Sequence, residues 1–275
     1  MPRIGAGFMK RGFAFCLSMV VLASSVAGHA ADGVKPGKSK PDVIAFNANV
    51  RVDVDANGKP VKVEAPADLP QAIRGYIEKR VASWQYQPAM QNNVAVPATT
   101  YVSVGACALP DETGDNYRLG VDFKGNGPGL VSATGRLEPP VYPRDAMMRG
   151  STGAFRVVYS ISGEGKPKVD EIVPMDDVSK RSYKAFHAAL EKWASSLPYR
   201  PETVNGQPVT TQISTLVEFR LDDDIGTPQW RQRYIEELKS RAIASSECAL
   251  ASGRGFGLVP IAMDSPVKIT PAPAG

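Results

Sequence analysis

The most regular pattern of apolar and polar positions in the first half of the chain surrounds the dipeptide Asn57-Gly58. Apolar residues alternate with polar ones on both sides of it, which predicts two half-buried strands joined by a tight turn. The alternating apolar positions are Val52, Val54, Val61 and Val63. The same stretch, from Asp53 to Glu64, also has the spacing of a calcium-binding loop. Strands rather than helices flank it, and a hairpin satisfies the pattern without an ion, so we favour the hairpin.

A second region of the chain shows the same order of patterns. The first region continues from the hairpin into an amphipathic stretch over residues 69–84 and a closing alternation over 96–106. The second has alternating stretches around Glu164-Gly165, an amphipathic stretch over 179–197 and a closing alternation over 209–221. In both, Gly-Lys-Pro follows the turn and Tyr-x-Pro follows the amphipathic stretch. This agreement predicts an internal repeat of strand, turn, strand, helix and strand.

The N-terminus has the pattern of a secretory signal peptide. Basic residues precede an apolar run from Phe13 to Ala27, and the small residues Gly28 and Ala30 follow it. The run is short for a helix that crosses a bilayer, which needs about 20 residues. We therefore expect cleavage near Ala30 and a soluble, exported chain that resides in the periplasm. The alternative is an uncleaved segment that anchors the protein in the inner membrane.

Removal of residues 1–30 changes the charge balance. These residues hold three of the 32 basic residues and no acidic ones, so 29 basic and 28 acidic residues remain. No cluster of Lys and Arg is left that would indicate nucleic-acid binding. Cys107 and Cys248 also remain, and in an exported protein such a pair favours a disulfide bond. Two separately buried thiols are the alternative.

Residues that could support catalysis or metal binding are few. His187 is the only histidine after residue 30, and it lies off the apolar stripe of its predicted helix, so we expect it to face solvent. No nucleophile motif accompanies it, and the Cys and His ligands of a zinc site are lacking. We therefore predict no enzyme activity, no metal and no cofactor.

Between residues 137 and 221 the second region carries an ordered set of features. They are Tyr142-Pro143 with Ala146, the turn at Gly165, a helix ending at Trp193, Tyr199-x-Pro201, and a last strand ending in Phe219-Arg220-Leu221. In this order they resemble the C-terminal domain of the TonB energy-transducer family. Two departures are the longer segment between Trp193 and Pro201 and a glutamate, Glu164, where the family often has aspartate. The first region is similar to a degenerate copy that lacks the Tyr-Pro pair.

The resemblance implies an α+β fold with two tandem modules, each a three-stranded antiparallel sheet packed on a helix. It also implies that a short receptor peptide binds as an added strand at a sheet edge, where an open strand offers unpaired backbone N–H and C=O groups. The expected partner-binding residues are Tyr142, Pro143, Thr211, Gln212, Ile213, Ser214, Thr215, Leu216 and Val217. The alternative is that the other module or a dimer partner covers this edge.

The predicted layout has six parts. They are a signal peptide at 1–30, a degenerate module at 41–108, a linker at 109–136, the TonB-C-like domain at 137–222, a C-terminal helix at 227–250 and a flexible tail at 264–275. Within the linker, the alternation at Tyr117–Phe123 suggests a further strand.

The predicted function is partner recognition in the periplasm, linked to TonB-dependent outer-membrane transport. The expected partner is an outer-membrane TonB-dependent receptor or another envelope protein, and membrane contact is expected only through such partners. A homodimer is an alternative. The alternative functions are a membrane-anchored energy transducer and a purely structural envelope module.

Overall fold

The computed structural model describes residues 44–110, 116–132, 136–221, 248 and 258–271. The strands are β1 (Ile44–Val54), β2 (Pro60–Glu64), β3 (Gln85–Gln87), β4 (Ala89–Gln91), β5 (Val94–Val96), β6 (Ala98–Pro110), β7 (Tyr117–Gly127), β8 (Gly129–Leu130), β9 (Gly153–Ile161), β10 (Pro167–Pro174), β11 (Tyr199–Arg200), β12 (Thr203–Val204), β13 (Gln207–Pro208), β14 (Thr211–Phe219), β15 (Ile261–Ala262) and β16 (Lys268–Thr270). The helices are α1 (Gln71–Ala82), α2 (Arg144–Met148) and α3 (Lys180–Ser195). The fold class is α+β, and the long strands pair antiparallel, as predicted.

The valines that alternate in the sequence build the first sheet. β1 is central, with β2 on one side and β6 on the other. Val50, Val52 and Val54 are almost completely buried in a core that α1 also lines. The predicted hairpin is confirmed, with Gly58 at its turn in a left-handed conformation (φ +78°) that glycine adopts without strain.

Other strands cover the outer side of β6. β7 pairs with β6 from Tyr101 to Pro110, and β12 pairs with it at Ala98 and Thr99. The strand predicted at Tyr117–Phe123 is confirmed and runs from residue 117 to 127, so this part of the segment predicted as a linker over 109–136 belongs to the first sheet. The prediction of three strands is too low here for the same reason. Since β12 comes from the second region, the first sheet is completed by both regions.

The second sheet has the order β10-β9-β14-β15. It has four strands rather than three, because β15 adds to the outer side of β14. α3 packs on this sheet and buries Phe186, Leu190 and Trp193. The indole N–H of Trp193 donates to the carbonyl of Glu138 at 2.8 Å, which fixes the chain that leads into α2.

The two regions pair their long strands in the same order. The first has β2-β1-β6 and the second has β10-β9-β14. The turn glycines Gly58 and Gly165 also make the same contact, against the carbonyl of the tyrosine in Tyr-x-Pro. A β-carbon placed on Gly58 would lie 2.4 Å from the Tyr86 oxygen, and one on Gly165 would lie 2.1 Å from the Tyr199 oxygen.

The C-terminal segment is part of the fold. β16 pairs with β3, and Val267 is fully buried in the core of the first sheet. The flexible tail predicted for 264–275 is therefore corrected over residues 264–270; residues 272–275 lie outside the described part. The proline-rich composition that suggested a mobile end does not prevent short strands that tertiary contacts stabilise.

Cys107 and Cys248 form the predicted disulfide bond, with 5.3 Å between their Cα atoms. The described residues fall within one compact unit of residues 40–275. The predicted signal peptide and, apart from Cys248, the predicted C-terminal helix lie outside the described residues. In the described ranges, no helix has the length and apolar character needed to cross a membrane.

Candidate partner-binding edge of the second sheet

β14 is the strand on which the sequence places most of the partner-binding residues. It pairs with β9 along its whole length, from Thr211 opposite Ile161 to Phe219 opposite Gly153. Its side chains are alternately buried and half-buried. The buried ones belong to Thr211, Ile213, Thr215, Val217 and Phe219. The structure therefore brings residues 211–217 together on one strand whose inner side is fully paired.

The outer side of β14 is partly covered by the chain itself. Ile213 and Ser214 pair with Ala262 and Ile261 of β15. The N–H of Met263 donates to the carbonyl of Gln212 at 2.8 Å, and the N–H of Gln212 donates to Oδ1 of Asp264 at 2.7 Å. Backbone groups on one edge of a strand recur at every second residue, so Gln212, Ser214 and Leu216 direct theirs outward. In the described part of the chain, no strand pairs with β14 beyond Ser214 on this side.

Tyr142 and Pro143 lie near the far end of β14 rather than along its outer edge. The Tyr142 ring contacts the rings of Phe186 and Phe219 edge-on, and its hydroxyl donates to the carbonyl of Ser151. Burial raises the pKa of Tyr142 above its ordinary value. Pro143 precedes the first residue of α2. The two residues therefore hold the segment that enters β9, and the structure separates them from the covered part of the edge.

A buried carboxylate, which sequence reasoning missed, lies beside the start of β14. Glu202 is fully buried and accepts three hydroxyl hydrogen bonds. Its donors are Thr100 of β6 at 2.6 Å, Thr211 of β14 at 2.7 Å and Ser265 at 2.7 Å. Glu202 therefore joins the first sheet, the second sheet and the C-terminal segment at one point. No signal in the sequence marks it, because two of its donors, Thr100 and Ser265, come from distant parts of the chain.

Opposing effects set the pKa of Glu202. Burial removes water from the carboxylate and raises its pKa above 4.5, the hydrogen bonds from Thr100, Ser265 and Thr211 lower it, and the charge of Asp264 raises it. Burial is the largest effect. The amide of Asn126 extends the network, since it donates to Oγ of Ser265 and to the carbonyl of Val267, both at 2.9 Å.

The residues from Asp53 to Glu64, which have the spacing of a calcium-binding loop, form the β1-β2 hairpin and its turn. Oδ1 of Asp55 accepts hydrogen bonds from the N–H groups of Asn57 and Lys59, both at 2.8 Å, and these bonds lower the pKa of Asp55. Among the described residues, no group of three Asp, Glu, His or Cys side chains could hold a metal ion. His187 lies on the surface of α3 beside Glu191, with 3.8 Å between Nδ1 and the carboxylate.

Comparison with known proteins places the second region in a family. Residues 138–221 match the family model described as the C-terminal domain of the Gram-negative bacterial TonB protein. Residues 138–221 belong to the TonB C-terminal domain family. This TonB C-terminal domain contains α2, α3 and the strands from β9 to β14. The segment that covers the outer side of β14 lies outside the matched residues.

One curated relative and one solved structure are similar to part of this chain. Protein TonB of Pseudomonas aeruginosa is 30% identical over 88 residues, which are 32% of this chain and 24% of that protein. The chain thus matches about a quarter of the length of that relative. The solution NMR structure of the Pseudomonas aeruginosa TonB CTD is 29% identical, covering 32% of this chain and 84% of that one, with a TM-score of 0.23.

Proposed function

We propose that this protein is a non-enzymatic, TonB-like protein of the periplasm that binds an envelope partner by β-strand addition, in connection with TonB-dependent outer-membrane transport. The observation that carries the proposal is the TonB C-terminal domain at 138–221: among the described residues, the outer side of its last strand is paired only near its start. The proposed partner is an outer-membrane TonB-dependent receptor.

The physical basis is the backbone of β14. A strand at the edge of a sheet presents N–H and C=O groups that an extended peptide can pair with, while pockets on alternate faces select its side chains. Leu216 directs its backbone groups outward in the part of β14 that β15 does not reach. A peptide that adds there extends the ladder that β15 begins at Ser214.

We also propose that the two regions are tandem copies with different roles. The shared strand order and the matching contacts of Gly58 and Gly165 support a common origin. In the first copy, β7 and β12 fill the side of β6 that corresponds to the outer side of β14. The first copy therefore contributes stability and support, and partner binding falls to the second.

A structural role is the second candidate, and one observation favours it. β15 already covers part of the outer side of β14, so a module whose edges are all filled from within would stabilise an envelope assembly or a dimer without capturing a peptide. A third candidate is a membrane-anchored energy transducer with an uncleaved N-terminal segment. The mass of the protein recovered from envelope fractions separates it from the proposed function, since retention of Met1 together with inner-membrane partition would support the anchored form.

Site-specific photocrosslinking in intact cells tests the proposed function. A photoreactive phenylalanine analogue at Leu216 is expected to crosslink to an outer-membrane receptor, which mass spectrometry identifies. The matched control places the same analogue at Lys168 of β10, on the opposite edge of the sheet, and no receptor adduct is expected there. If Leu216 crosslinks only to a second copy of the chain, the structural role replaces the proposed one.

A further inference from the structure

The C-terminal segment 258–270, here called the strap, connects the second sheet to the first. Leu258 forms a bridge with Leu137 just before α2, β15 pairs with β14, and β16 pairs with β3. The strap therefore passes over the outer side of β14 and ends in the first module. It lies outside the residues that match the TonB C-terminal domain.

The strap uses the backbone groups that strand addition needs. It occupies the carbonyl and the N–H of Gln212 and pairs with Ser214. Four residues of β14 direct backbone groups outward, namely Gln212, Ser214, Leu216 and Glu218, and the strap reaches the first two of them. With the strap in place a partner strand can therefore pair only with the second half of β14, and it can use the full edge only when the strap has left it.

The strap is anchored at its ends and loosely held over β14. Beyond β15, Ser265 donates to buried Glu202, and Val267 is fully buried in the first core. Over β14 itself, Ile261 and Met263 leave about half of their surface exposed, at 46% and 55%. Few buried apolar contacts and a short ladder are the properties of a segment that opens locally at low cost.

The strap also shows which chemistry the outer side of β14 accepts. Ala262 lies against β7, where a β-carbon on Gly127 would be only 2.7 Å from the Ala262 β-carbon. Two residues later, Asp264 supplies a carboxylate oxygen to the N–H of Gln212. An extended segment with a small residue followed two positions later by a carboxylate therefore fits the same place.

We propose that the strap is an intramolecular competitor for the partner strand: it holds the outer side of β14 closed until an extended partner segment with a small residue and, two positions on, an acidic residue displaces it. This inference rests on the proposed function, because it assigns the chemistry and the gating of the same edge. Where displacement of the strap extends as far as Ser265, Glu202 also loses that hydroxyl donor, which couples partner binding to the contact between the two regions.

Peptide binding to full-length variants tests the competitor. The probe is a fluorescent synthetic peptide with the sequence of residues 258–270, added in trans. Ser265→Ala removes one donor to Glu202, and Asp264→Ala removes the exposed acceptor of the Gln212 N–H. Each variant should loosen the strap and raise the affinity for the probe about tenfold over wild type, because a hydrogen bond to a charged group is lost from the closed state. Asp264→Ala leaves the buried network intact and keeps the test valid if Ser265→Ala does not fold.

Two further proteins complete the design. Lys268→Ala changes an exposed strap residue and should bind the probe as wild type does. Ser214→Cys combined with Ile261→Cys joins residues that lie directly opposite each other, at a spacing suited to a disulfide bond. The oxidised double variant should bind no probe, and mild reduction should restore binding, with wild type in the same reductant as reference. Equal binding by all variants, or binding to the oxidised form, would overturn the inference.

The outcome separates this inference from the proposed function. If the loosened variants bind the probe but receptor-derived peptides bind no variant, the strap is a competitor and the receptor assignment is wrong. If receptor-derived peptides bind the oxidised double variant as well as wild type, the edge is used without opening and the competitor is wrong.

Discussion

At the scale of single residues, Glu202 illustrates how hydrogen bonds stabilise a buried carboxylate. Glu202 has no exposed surface, and hydroxyls from β6, from β14 and from the C-terminal segment donate to its carboxylate. Burial of a charged group without such donors is strongly unfavourable. The position follows Tyr199-x-Pro201, and Ala89 stands after the equivalent proline in the first region, also fully buried. The buried acid is thus particular to the second region.

The raised pKa of Glu202 predicts a pH-dependent contribution to stability. The folded state holds the proton more tightly than the unfolded chain, so the stabilisation is complete below the ordinary pKa of 4.5 and is lost as pH rises through the higher folded pKa. We expect the free energy of unfolding of wild type, minus that of Glu202→Gln, to fall as pH rises from 4.5 towards neutrality. Urea titrations at a series of pH values measure this difference.

The matched control for this prediction is Glu164→Gln. Glu164 is exposed, and its hydrogen bond with Lys166 lowers its pKa, so any pH dependence should have the opposite sign. A difference for Glu202→Gln that stays constant with pH would contradict the assignment.

At the scale of elements, the two hairpin turns depend on the same close approach. Gly165 has φ +77°, and its Cα faces the carbonyl of Tyr199, so the turn packs directly on the chain that leaves α3. A side chain at this position would push the hairpin away from the helix exit. The glycine is therefore required by both its conformation and its contact.

Gly165→Ala should lower the free energy of unfolding by about 3 kcal/mol or more, because the left-handed conformation and the clash both add cost. Gly206→Ala is the control, since Gly206 has φ +76° but no atom within 4 Å of a β-carbon placed there. Gly206→Ala should lower the free energy of unfolding only by the cost of the left-handed conformation, about 1–2 kcal/mol. Thermal and urea unfolding measure both values, and equal losses would show that the contact with Tyr199 is unimportant.

The sequence predicts the long elements well for a physical reason. Val52 and Val54, or Phe186 and Leu190, bury one face of an element, and burial of one face produces a period that can be read along the chain. The short strands β12, β15 and β16 have two or three residues and exist because a distant strand is beside them. Nothing local encodes that neighbour, so the covering of the β14 edge could not be predicted.

At the scale of the whole molecule, the disulfide bond ties two distant parts of the chain. Cys107 lies at the end of β6, and Cys248 is 141 residues later, close to Asp122 of β7, whose carboxylate accepts from the Cys248 N–H at 3.3 Å. Cys107 and Cys248 are both buried. The bond therefore holds residue 248 against the first sheet.

Removal of this bond by Cys107→Ala combined with Cys248→Ala should lower the free energy of unfolding by about 4–5 kcal/mol, because a long loop in the unfolded chain is no longer closed. Urea unfolding at fixed pH measures the change. Wild type unfolded in reductant is the companion experiment and should give the same loss. An unchanged midpoint in both would mean that the bond contributes little to stability.

The pairing of β12 with β6 has a consequence for attempts to divide the molecule. A fragment that keeps only the family-matched residues 138–221 loses Thr100 and Ser265, so Glu202 retains one of its three hydroxyl donors, and β12 loses the strand that pairs with its other edge. An exposed strand edge with unpaired N–H and C=O groups promotes aggregation. We therefore expect that this domain, transferred alone into another protein, needs a new partner for the free edge of β12.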